Sequence, residues 1–237
     1  MKKQTRFLFN RRPHLLAAAL LLITLPAVFA DNKPGVPANE ALARLKAGNG
    51  RFVLGRRLPA NYPAERARLL KDQHPYAVLL TCSDSRVPPE LVFDESLGKL
   101  FIVRVAGNVT DPVALGSIEY AAVVEGARLL VVLGHESCGA VKATLKGDPQ
   151  PPNIEALVRK IQPAADRAKA RGLGPEATLK LAIRENVQEQ MANALKESDV
   201  LREMVEKKTL TITGAVYQLA SGKVEWHEVG PAAAASK

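Results

Sequence analysis

The 237-residue chain has two cysteines, each in a short polar motif directly behind an apolar run. Cys82-Ser83-Asp84-Ser85-Arg86 follows Ala77–Thr81, and His135-Glu136-Ser137-Cys138 follows Arg128–Leu133 through Gly134. Two thiolates and an imidazole are a zinc donor set, and three protein ligands leave the fourth tetrahedral position open. An open position on such an ion is where water becomes a nucleophile, so the pattern points to catalysis. The i, i+3 spacing of His135 and Cys138 lets one turn of backbone present both to one ion, and Gly134 and Gly139 allow the backbone to come close.

A closed structural site would want another thiolate or imidazole, and the chain has no third cysteine. Asp84 therefore has two readings. It completes the tetrahedron itself, or a salt bridge to Arg86 holds it off and leaves room for water. The competing reading of the cysteines is a disulfide, the usual fate of thiols in an oxidising compartment. Asp84, Arg86 and His135 shift the balance toward metal. Ser83 and Ser85 are hydrogen-bond donors to thiolate or substrate oxygen, or simply turn residues. Glu136 is an acid/base group or a solvent-facing side chain. His74 and His227 have no second ligand nearby and are read as surface or packing residues. A thiol redox role is disfavoured by the absence of Cys-X-X-Cys.

The elements that must place these motifs begin after residue 30. Lys2, Lys3, Arg6, Arg11 and Arg12 precede an apolar stretch from Leu15 to Ala30, which ends Val28-Phe29-Ala30 and reads as a signal peptide cleaved after Ala30. That stretch is about 16 residues and contains Pro26, short of the roughly 20 a spanning helix needs. Export, with the periplasm as destination, is expected, without stable membrane insertion after processing. The chain's net charge of +9 includes five leader cations, so the processed protein carries +4, which gives nucleic-acid binding little support. Residues 31–38 read as a linker, 39–230 as one catalytic domain and 231–237 as a disordered tail.

Within that domain Asn39 to Leu54 has the apolar spacing of an amphipathic helix, and a short helix is expected around Ala64 to Lys71. Ala77–Thr81, Leu100–Val105 and Arg128–Leu133 have the composition of buried parallel strands, with a crossover helix over Ala114–Glu125 behind the Asp111-Pro112 start signal. Helices are expected over Asn153–Ala170 and Pro175–Lys207, the second covering core with Leu179, Ile183, Val187 and Met191. Thr209–Gln218 and Lys223–Glu228 then form a hairpin at the sheet edge. The fold class is α/β, a mainly parallel sheet flanked by helices with the C-terminal hairpin at its edge. Both cysteine motifs fall at carboxyl ends of parallel strands, where open α/β sheets bind ligands.

Cys82-Ser-Asp84-Ser-Arg86-Val-Pro and Gly134-His135-Glu-Ser-Cys138-Gly139-Ala resemble the β-class carbonic anhydrases. Arg104-Val-Ala-Gly107-Asn108, Ser117-Ile-Glu-Tyr120-Ala, Gly214-Ala-Val-Tyr217 and Gly222-Lys-Val224 extend the likeness from about Asn39 to Trp226. The resemblance implies one Zn2+ per subunit on Cys82, His135 and Cys138, with Asp84 and Arg86 as a gating pair and Gln73 and Gly139 at the substrate. It implies reversible hydration of carbon dioxide to bicarbonate and a proton by zinc-bound hydroxide. It also implies a central, mainly parallel sheet of four strands with an added antiparallel C-terminal strand or hairpin, and a homodimer, or a higher homo-oligomer, with an N-terminal helix reaching across the partner. Hydrolysis of carbon disulfide or a related heteroallene on the same scaffold, and a non-catalytic zinc-binding module, stand as alternatives.

Overall fold

The computed structural model describes residues 35–227. The expected signal peptide, residues 31–34 of the linker and the tail lie outside the described residues.

Five strands make one sheet: β1 (Ala77–Thr81), β2 (Leu100–Arg104), β3 (Leu129–His135), β4 (Thr211–Tyr217) and β5 (Val224–Trp226), in the order β2-β1-β3-β4-β5. The first four are parallel, and β5 returns antiparallel to β4. β1 and β3 are buried along their whole length, as runs of Ala, Val and Leu with helices on both faces must be. The chain leaves β1 for β2 on one side and resumes with β3 on the other. The crevice of this fold therefore opens between the carboxyl ends of β1 and β3.

The helices are α1 (Ala38–Val53), α2 (Tyr62–Arg68), α3 (Pro89–Val92), α4 (Pro112–Val123), α5 (Gly139–Lys146), α6 (Pro152–Lys169), α7 (Pro175–Glu197) and α8 (Asp199–Glu206), with a 3-10 turn at Ala106–Asn108. One face of the sheet packs Val78, Leu80, Leu130 and Val132 against α4 to α8, and the other packs Leu79, Leu129, Val131 and Leu133 against α1 and α3. α1 buries Ala41 and Leu45 in the cluster on this face of the sheet. Asn49 fixes it there, donating to the carbonyls of Val92 and Gly222 and accepting from the Val224 N–H.

Four differences from the sequence expectation have local causes. The single helix expected over Pro175–Lys207 is two, because Ser198 leaves helical geometry (ψ 109°) and its hydroxyl accepts the Leu201 N–H to cap α8. The same hydroxyl donates to Glu119 at 2.6 Å. The short helices α3 and α5 and the 3-10 turn were not expected; each is too brief for periodicity to register. Among the described residues no helix is long and apolar enough to cross a membrane.

Candidate metal centre

Cys82 leaves the end of β1, and His135 is the last residue of the neighbouring β3. Cys138 lies three residues further on, at the N-cap of α5, after Ser137 turns the chain with φ 59°. The switch point thus gathers one ligand atom from each of Cys82, His135 and Cys138 within 4.8 Å of one another, all three residues buried. Ligands 2.0–2.3 Å from one tetrahedral ion stand about 3.4–3.8 Å apart, so a small inward movement suffices.

The donor atoms fit zinc in their protonation as well as their position. The Glu136 carbonyl lies 2.9 Å from His135 Nδ1, which places the ring proton there and leaves the Nε2 lone pair free. Nε2 is buried and has no hydrogen-bond partner. A buried nitrogen lone pair without a donor is costly in a core, and a cation among two sulfurs is what would satisfy it. Of the two sulfurs, Cys82 ionises first. The Cys138 thiol donates to it, which outweighs burial, and the N–H groups of Gly107 and Asp84 act in the same direction. Cys138 is correspondingly pushed up by that shared proton and by burial, while the Ala140 and Val141 N–H groups pull it down.

Asp84 borders the cage, with Oδ2 3.8 Å from His135 Nε2. Both its oxygens are engaged: Arg86 Nε donates to Oδ1 at 2.9 Å, Arg86 Nη2 to Oδ2 at 2.7 Å and the Arg86 N–H to Oδ1 at 2.9 Å. Arg86 holds this carboxyl well below the usual carboxylate range. The Asp84 side chain is 16% exposed and that of Arg86 55%, so the pair stands between the buried cage and solvent.

The loop after β1 is held by a residue whose role the sequence did not reveal. Arg104, at the end of β2, donates through Nε to the Cys82 carbonyl at 3.0 Å and through Nη2 to the Asp84 carbonyl at 2.5 Å. Gly107 donates its N–H to Cys82 Sγ at 3.3 Å. Both lie in the Arg104–Asn108 segment, whose similarity to a family was the available signal.

Other candidates fall elsewhere. Gln73 lies before the amino end of β1, bonded to Glu125 at 3.3 Å, so within one protomer it is at the opposite edge of the sheet from the cage. Gly139 opens α5 directly after Cys138, and nothing lies within 4 Å of where a Cβ would project. Glu136 accepts from the Ala220 N–H at 3.3 Å and so is bound into the turn after β4. Ser83 and Ser85 are exposed.

Residues 77–224 match the family described as carbonic anhydrase. The chain is 40% identical over 195 residues to carbonic anhydrase 2 of Mycobacterium tuberculosis, covering 80% of this chain and 93% of that protein. It is 40% identical over 186 residues to a carbonic anhydrase of Mycolicibacterium smegmatis, covering 76% and 89%. The solved β-carbonic anhydrase CcaA superposes with a TM-score of 0.63 at 26% identity, over 79% of this chain and 95% of that one.

Proposed function

Because the chain belongs to the β-class carbonic anhydrases, we propose that it hydrates carbon dioxide reversibly at a zinc ion held by Cys82, His135 and Cys138, with Asp84 and Arg86 controlling access. The observation that carries the metal assignment is the unpartnered, buried Nε2 of His135 between two sulfurs. When bound there, zinc supplies a Lewis-acid charge that brings the ionisation of water toward neutral pH.

The chain's own residues set the rest. Two anionic sulfurs quench more of the ion's charge than imidazoles would, which places activity on the alkaline side. A carboxyl held as low as that of Asp84 is a poor base at neutral pH and acts as a hydrogen-bond acceptor that orients a hydroxyl. Its bidentate engagement by Arg86 keeps it from becoming a permanent fourth ligand, which argues against the non-catalytic module. Release of that fork is the closed state.

The working form in this reading is an exported, periplasmic homodimer. Val113 (80% exposed), Tyr120 (48%) and Val124 (38%) line one face of α4, an apolar stripe with no cover in the protomer. Gln73, remote from its own cage, reaches a substrate only from the partner protomer.

Metal analysis of the processed protein, coupled to stopped-flow hydration across pH, tests this reading. The expected result is one zinc per subunit and a rate that rises with pH. Metal-replete protein with no hydration above buffer at alkaline pH overturns it, and turnover of carbon disulfide in place of carbon dioxide selects the rival substrate.

A further inference from the structure

Two buried amides that the metal chemistry does not use lie i, i+4 on α7, Asn186 (1% exposed) and Gln190 (0%). Their neighbours on that face, Ala182, Ile183, Val187 and Ala194, are core residues, so polar side chains here need partners of their own. Most of those partners lie in one short segment. Asn186 Nδ2 donates to the Gly107 carbonyl at 2.8 Å, and its Oδ1 accepts from Gln190 Nε2 at 3.0 Å. Gln190 Oε1 accepts from the Thr110 N–H at 2.9 Å and the Thr110 hydroxyl at 3.1 Å, and Nε2 also donates to the Lys160 carbonyl at 3.2 Å.

Both ends of the Gly107–Thr110 segment are thereby tied to α7. That segment would not hold its shape unaided, because Gly107 (φ 71°) and Asn108 (φ 47°) are consecutive left-handed residues. A side chain at 107 would be strained by that φ and would have to displace Ile161 Cδ1, 2.6 Å from its Cβ. The residue held at its carbonyl by Asn186 is the one whose N–H lies on the Cys82 sulfur.

We propose that Asn186, backed by Gln190, is a positioning residue for the metal centre. It holds Gly107 so that the Gly107 N–H stays on Cys82 Sγ, and so sets how much charge that sulfur passes to the metal. The inference rests on the zinc reading of the site. A hydrogen bond into a thiolate withdraws charge from it, and such outer contacts tune both retention and electronics of a bound ion.

The test compares Asn186→Leu with Ser198→Ala, a buried cap lost far from the cage, in the processed zinc protein and its cobalt-substituted form. In Asn186→Leu, competition with a chromophoric chelator should show zinc held about tenfold or more weakly. The sulfur-to-cobalt charge-transfer band should move to longer wavelength, as a more electron-rich thiolate requires. Ser198→Ala should leave both readings at wild type while lowering thermal stability. Should Asn186→Leu fail to fold, Gln190→Met, which leaves the Asn186 to Gly107 bond in place, should show the same two shifts at smaller size. A folded variant with wild-type zinc retention and an unmoved band overturns the positioning role and leaves the amides as packing. A wild type that binds neither zinc nor cobalt overturns the zinc reading, and this inference with it.

Discussion

Asp84 and Arg86 are separated by one residue and joined by two side-chain hydrogen bonds, and the proposed gate rests on that fork. Arg86→Ala removes both bonds and leaves a carboxylate 3.8 Å from His135 Nε2, held back only by the backbone N–H of residue 86. Hydration by this variant should fall about 100-fold, the scale of an ångström-sized misplacement at a reacting centre, while zinc content stays at wild type. Stopped-flow rates with metal analysis on the same sample check it, and full activity would remove the gate. Arg86→Lys should recover little, because an ammonium is a point charge without the fork. The cage itself could be read from the chain because each ligand motif follows an apolar strand, and the carboxyl ends of adjacent parallel strands meet. Gln73 could not be placed in the same way. Its nine-residue offset from Cys82 says nothing until strand polarity sends it to the far edge. Asn186 and Gln190 were hidden for a related reason: in a helix rich in charge, two amides resemble solvated surface.

At the scale of elements, α7 can serve the metal loop only by lying close to the sheet. Gly134 on β3 and Gly214 on β4 make that approach possible. A Cβ at Gly214 would stand 2.6 Å from Val187 Cγ1 and 2.9 Å from Met191 Sδ. Met191 can turn aside, but β-branched Val187 cannot. Gly214→Ala should therefore cost about 1–3 kcal/mol by overpacking, read as a fall in the denaturation midpoint. Gly214→Ala with Val187→Ala should lose less than the sum of the two, and strict additivity would show that the clash is absent. A second tie, between α1 and Asp94 just beyond α3, depends on charge. Arg51 Nε donates to Asp94 Oδ2 at 2.5 Å, Arg57 Nε lies 3.3 Å from Oδ1, and the Leu58 N–H is 3.1 Å from Oδ2. Burial raises the Asp94 carboxyl, but Arg51, the Leu58 N–H and Arg57 outweigh it and leave it below its usual value. A carboxyl lowered in the folded state stabilises above its unfolded value of about 4 and loses that contribution as pH falls through the folded value. Asp94→Asn should lower stability by about 1–3 kcal/mol, reduced from a fully buried pair because both arginines are partly exposed. Melting curves should show that gap constant from pH 5 to 8 and closing below about pH 4; a gap that widens in acid would contradict the assignment.

At the scale of the whole molecule, three parallel strands and the C-terminal hairpin were legible as apolar runs separated by crossover-length segments, whereas the fourth parallel strand came from the family resemblance and the order β2-β1-β3-β4-β5 from the structure alone. What covers the outer face of α4 was not legible, because an exposed apolar residue on a helix is ordinary until its neighbours are known to be exposed too. Val113, Tyr120 and Val124 fall on one face by helical spacing, and Tyr120 stacks on Phe101 of the edge strand β2 at 6.2 Å between ring centroids, which extends the apolar surface to the sheet edge. β2 leads at its other end to Arg104, which clamps the Cys82 and Asp84 carbonyls, so a second copy seated here would press on the element that shapes the metal loop. Tyr120→Glu with Val113→Asp places two carboxylates in that surface at exposed positions, where the isolated protomer tolerates them. Sedimentation should give a wild type of twice the protomer mass and a variant of once that mass. Activity per zinc should fall together with assembly, since Gln73 would no longer reach a neighbouring cage. A variant that remains dimeric would place the interface on another face, and a fully active monomer would show that each protomer's site is complete by itself.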